Sequence, residues 1–108
     1  MGVTKTENFS DQQNRLAALA KVIGHPARIA ILEQLVSSNS CICGDLVNEL
    51  PLSQATVSQH LKALKEVGLI KGNIEGTSVC YCIDPKNWAL AKTLLNRLFD
   101  SYKTSNCC

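Results

Sequence analysis

Three residues, Pro51, Leu52 and Ser53, separate two stretches of helical pattern in "GDLVNELPLSQATVSQHLKALKEVG". Upstream, Asp45, Leu46, Val47, Glu49 and Leu50 fit a short helix. Pro51 stops it, since proline has no N–H for the next helical hydrogen bond and its ring clashes with the preceding turn. Downstream, Ser53 is a good N-cap, and Val57, Leu61 and Leu64 recur at i, i+4 and i+7 before Gly68 ends the run. The pattern is a helix, a tight turn and a second helix.

After Gly68 the period changes. "LIKGNI" and "SVCYCI" are β-prone runs joined by "EGT", which reads as a hairpin with a glycine-containing loop. In the second run Val79, Tyr81 and Ile83 share one face and Cys80 and Cys82 the other, so if the first three face the core the thiols do not. Near the N-terminus, Ser10 with Gln13 resembles a capping box, and Leu16, Leu19, Ala20 and Ile23 predict a helix from Asp11 to Val22 that Gly24 ends. A second helix restarts at Pro26 with Ile29, Leu32, Leu35 and Val36 as its stripe, and "SSNS" closes it. Asp84 and Pro85 open a last helix whose apolar side is Trp88, Leu94, Leu95, Leu98, Phe99 and Tyr102. The expected fold is mainly α with a small β-wing, a winged helix-turn-helix of five helices plus a β-hairpin. Residues 1–9 read as a flexible arm, 10–103 as the domain and 104–108 as a frayed tail.

A chain of 108 residues is one domain with a modest core, and dimerisation is an ordinary way to add burial. No run approaches the roughly 18 apolar residues of a membrane span, and the N-terminus "MGVTKTENFSDQQN" lacks a signal-peptide core. The expected location is the cytoplasm, away from membranes. In that reducing compartment six cysteines point to metal binding, thiol chemistry or packing. Two Phe, two Tyr and one Trp argue against stacking on single-stranded nucleic acid. Cys-x-x-Cys, a Gly-rich phosphate loop and a supported Ser/His/Asp pattern are all missing, which argues against an enzyme and a catalytic cofactor.

On the helix after the turn, Ala55, Gln59 and Lys62 point away from the apolar stripe, flanked by Thr56 and Ser58. Glutamine bonds adenine edges, and Ser or Thr reaches bases or phosphates in a major groove. Gln54 at the helix start and Lys65, Lys71 and Thr77 toward the wing complete a candidate surface for double-stranded DNA. Between Ser53 and Gly72 three lysines, Lys62, Lys65 and Lys71, stand against the single acid Glu66. The plain alternative is a solvated helix face on a dimerisation or adaptor module. His60 falls toward the stripe and reads as a packed histidine.

"LAKVIGHPARIAILEQL", "GDLVNEL", "LSQATVSQHLKALKEVGLIKG" and "EGTSVCYCI" together resemble the ArsR/SmtB family of metal(loid)-responsive repressors. The Leu-Ser-x-x-x-Val-Ser-x-His-Leu pattern from Leu52 to Leu61 is the most specific part. The resemblance implies a homodimer paired through its first and last helices, bound to an operator of dyad symmetry and released by an inducer. Dimeric readers of this kind set their recognition helices about 34 Å apart.

The family's sensing sites transfer only in part. Aligned on Asp45 and Leu46, its Cys-Val-Cys-Asp-Leu motif puts Ile42 and Gly44 at the cysteine positions, so Cys41 and Cys43 are shifted by one residue. The zinc site of the last helix is absent, because "DPKNWALAKTLLNRL" has no His and only Asp84 as an acid. A first strand before the third helix would set Cys41 and Cys43 beside Cys80 and Cys82, since paired strands lie about 4.8 Å apart. Such a thiolate set without histidine favours soft ions, and As(III) or Sb(III) fits best. Cys107 and Cys108 are weaker candidates as further ligands. Packing remains the alternative for each cysteine, and a thiol-based redox or reactive-sulfur switch is the alternative for the group.

Overall fold

A computed structural model describes residues 6–38, 41–43, 50–75 and 78–104. A 3₁₀ turn over Thr6–Asn8 precedes α1 (Asp11–Ile23), α2 (Pro26–Ser38), β1 (Ile42–Cys43), α3 (Gln54–Glu66), β2 (Ile70–Glu75), β3 (Ser78–Ile83) and α4 (Pro85–Asp100). The helix expected over 45–50 lies outside the described residues except for Leu50. With four described helices and an antiparallel wing, the chain is a mainly α winged helix-turn-helix.

Short polar side chains set the helix starts. Ser10 accepts from the Gln13 amide at 3.1 Å while its own amide donates to Gln13 Oε1 at 2.9 Å, a complete capping box. Ser53 Oγ accepts from the Thr56 amide at 3.2 Å, and Asp84 Oδ1 accepts from the Asn87 amide at 3.2 Å. Each satisfies an amide that the first helical turn leaves without a backbone partner.

The core joins α1, α2 and α3 to the wing. Leu19 of α1, Ile31, Leu32 and Leu35 of α2, Val57, Leu61 and Leu64 of α3, and Leu69 with Ile70 at the entry to β2 form one buried cluster. The stripe expected on α2 needs correction. Ile31 is fully buried, whereas Ile29 and Val36 are 41% and 49% exposed. Apolar residues run nearly round this helix, so one side enters the core and another lines a groove against α4. The last helix also departs from expectation, since Trp88, Ala91 and Leu95 touch the core but no residue of α4 is fully buried.

The sheet order is β1-β3-β2, antiparallel throughout. β3 contributes packed residues from both of its faces, which corrects the expectation that Val79 faces the core and the thiols do not. Val79 is 42% exposed and Cys80 is 1% exposed, while Tyr81 and Ile83 do pack on the core.

Gly68 makes the turn from α3 into the wing at φ +89°, a conformation that L side chains rarely adopt. A Cβ there would also stand 2.8 Å from Asn87 Nδ2, beneath the start of α4. Leu69 then donates to Leu64 O at 3.1 Å and accepts from the Asp84 amide at 3.0 Å, tying the end of α3 to the end of the hairpin. Gly68→Ala should therefore lower the stability by about 1–3 kcal/mol in urea denaturation, through positive-φ strain and the Asn87 clash together. An unchanged midpoint would contradict this account of the turn.

Candidate nucleic-acid interface and cysteine site

Helix α3 separates its faces sharply. Val57, His60, Leu61 and Leu64 are buried, whereas Gln54, Ala55, Ser58, Gln59 and Lys62 are exposed along the opposite side. The Thr56 hydroxyl is taken up at the cap, 2.9 Å from Ser53 Oγ. Lys65 is exposed but leans back over the sheet, its Nζ 3.5 Å from where a Cβ on Gly72 would stand. Lys71 pairs in register with Cys82, so it shares the cysteine face and is not on the recognition helix side of the hairpin. Thr77 lies outside the described residues.

Behind this face is a clamp that sequence spacing did not reveal. Arg28 Nε donates to His60 Nδ1 at 3.0 Å and Arg28 Nη1 donates to Val22 O at 3.1 Å. One guanidinium thus joins the end of α1, the start of α2 and the middle of α3. The guanidinium only donates, so Nδ1 of His60 is the acceptor and the imidazole is neutral. The His25 ring lies 4.5 Å from that of His60, and its own Nδ1 accepts from the Ala27 amide at 3.1 Å. Burial first, then His25, then Arg28, hold the His60 pKa below its ordinary 6.5. The partners are 32 residues apart, which is why no local periodicity points to them.

On the other side of the wing, β1 pairs with β3 so that Ile42 opposes Tyr81 and Cys43 opposes Cys80. The same register sets Cys41 opposite Cys82, and these two are joined by a disulfide with their Cα atoms 4.3 Å apart. Cys80 is disulfide-bonded as well. Among the described residues no three His, Cys, Asp or Glu are grouped as an ion site, but the side chain of Cys43 is outside the described atoms, as are Cys107 and Cys108. Beside the Cys41–Cys82 pair is a cavity of about 430 Å³ walled by Leu35, Val36, Ile83, Trp88 and Lys71.

The comparisons agree with this geometry. Residues 25–71 match the model of bacterial regulatory proteins of the arsR family. The chain is 35% identical over 78 residues, 70% of its length and 86% of the relative's, to the uncharacterized HTH-type transcriptional regulator MJ1325 of Methanocaldococcus jannaschii. It is 43% identical over 63 residues to the HTH-type transcriptional repressor SmtB of Mycobacterium tuberculosis, a match over 58% of this chain and 46% of that protein. The solved structure of HlyU from Vibrio cholerae superposes with a TM-score of 0.66 at 29% identity, covering 84% of this chain and 98% of HlyU. The chain belongs to the ArsR family of helix-turn-helix transcriptional regulators. Members bind operator DNA and are not enzymes.

The His60 environment fixes the sign of a pH effect. Its folded pKa lies below the unfolded value, so the stability it contributes is complete above pH 6.5 and is lost as pH falls through the folded pKa. Urea midpoints should fall between pH 7 and pH 5, and His60→Gln, which cannot be protonated, should show a shallower fall. Equal slopes in the two proteins would contradict the clamp.

Proposed function

We propose that the chain is a homodimeric transcriptional repressor that reads a double-stranded operator of dyad symmetry through α3 and is released by As(III) or Sb(III) held on cysteine thiolates of β1 and β3. The observation that carries this reading is the β1–β3 register, which brings together cysteines 41 positions apart in the chain. The exposed row of Gln54, Ala55, Ser58, Gln59 and Lys62 supports α3 as the DNA reader. Leu90, Leu98 and Phe99 of α4 and Tyr102 just beyond it are 52–75% exposed, an apolar surface suited to a second copy. Reduced thiols condense with arsenous acid, each forming one As–S bond and releasing one water. β1 directly precedes the segment leading into α3, so ligation there acts on the approach to the recognition helix. Allosteric couplings are typically about 1–3 kcal/mol, or 5- to 150-fold in operator affinity.

The Cys41–Cys82 bridge favours a second reading, a thiol switch. There peroxide takes two electrons from the two thiols and leaves as water while the disulfide forms. One experiment separates the readings: anisotropy of a labelled duplex that the reduced protein has selected from a random pool. Arsenite should lower the affinity roughly 5- to 150-fold, a chelating dithiol should restore it, and Cys41→Ser/Cys82→Ser should abolish the response. A response to peroxide alone would replace the metalloid with the redox reading, and a response retained in the double variant would exclude the cysteine pair from both. Lys62→Ala should weaken binding across sequences and reduce the salt slope by about 1, as loss of one phosphate contact does. An unaltered slope would remove Lys62 from the interface.

A further inference from the structure

The Cys41–Cys82 pair does not stand on an open surface. Its cavity of about 430 Å³ shares Val36 and Trp88 with a second cavity of about 470 Å³, which continues between α2 and α4 along Ile29, Leu32, Ala91 and Leu95. The two cavities adjoin at Val36 and Trp88, with the sulfurs beside the first and a mainly aliphatic and aromatic wall in the second, which Glu33, Lys92 and Asn96 also line. Among the described residues, Lys71 is the one charged residue lining the cysteine end. Small-molecule sites are commonly roughly 300–1,000 Å³, mostly apolar, with a few polar groups that fix the ligand. Arsenous acid, small and polar, makes no use of such walls.

From this geometry we infer that the site takes a monoorgano trivalent arsenical, R–As(III), with arsenic on Cys41 and Cys82 and its aryl or alkyl group in the α2–α4 groove. This rests on the proposal that these thiols are the sensing site, and it names the inducer more narrowly. Trivalent arsenic makes three bonds. Two sulfurs and one carbon complete them, and the carbon substituent needs apolar space directly beside the sulfurs. A dithiol reductant first opens the disulfide, giving two electrons and closing to its own cyclic disulfide. R–As(OH)₂ and the two thiols then form two As–S bonds and release two waters, and arsenic stays trivalent throughout.

The groove is separate from the surface suited to a second copy. Leu90, Leu98, Phe99 and Tyr102 line neither cavity, whereas the exposed Ile29 and Val36 do.

Trp88, the only tryptophan of the chain, lines both cavities and serves as the reporter. The reduced full-length protein is titrated with phenylarsine oxide, methylarsonous acid and arsenite, following Trp88 emission and release of the labelled duplex. Phenylarsine oxide should shift the emission and act at least tenfold below the concentration of arsenite, with the methyl compound between them. Val36→Phe, a change at a half-exposed position that fills the groove, should bring the ratio of aryl to inorganic arsenic toward one. Equal potency of the three compounds with unchanged Trp88 emission would overturn the inference while leaving the metalloid reading standing. No response to any of them, or the same response in Cys41→Ser/Cys82→Ser, would overturn the sensing-site reading beneath it.

Discussion

Strand β1 is two residues long, and its pairing with β3 decides what the wing can do. A hairpin alone would hold β2 against β3 and leave the outer edge of β3 unpaired, a liability in water. β1 covers that edge, and it brings the chain just upstream of the recognition helix into hydrogen-bonded contact with the strand that leads to α4. Cross-strand partners have their side chains on the same face, so the register sets Cys41 beside Cys82. A shift of one residue would turn the cysteines of β1 to the opposite face and separate the thiols.

The same molecule couples its reading head from behind. Arg28 reaches Val22 O and His60 Nδ1, so α1, α2 and α3 share one cation. Among the described residues His60 is the single polar one that is buried, and its neutral ring accepts the hydrogen bond of the guanidinium. α3 therefore has two restraints, the Arg28 clamp under its middle and the Gly68 turn at its end, where Leu69 and Asp84 close the loop.

Much of this was legible in the sequence because it is local. Ser10, Ser53 and Asp84 announce helix starts through hydrogen bonds within three residues, and Gly68 marks a turn that needs a positive φ. A first strand expected before the third helix suggested that the two Cys-x-Cys pairs would adjoin, and the register bears out the meeting of β1 and β3. What sequence did not show is set by packing between distant residues. Alternation distinguishes the two faces of β3 but not which residues on them are covered, and Cys80 is buried while Val79 is exposed. The partnership of Arg28 with His60, the backward lean of Lys65 and the groove between α2 and α4 likewise depend on how helices cross, which no stripe encodes.

The central claim is that thiolates of β1 and β3 hold the inducer. X-ray absorption at the arsenic edge, on reduced protein loaded with one equivalent of arsenite, tests it most directly. The account predicts a first shell containing at least two sulfurs, with Cys41→Ser/Cys82→Ser losing sulfur from that shell. A shell of oxygen alone, or a sulfur shell identical in the double variant, would contradict it.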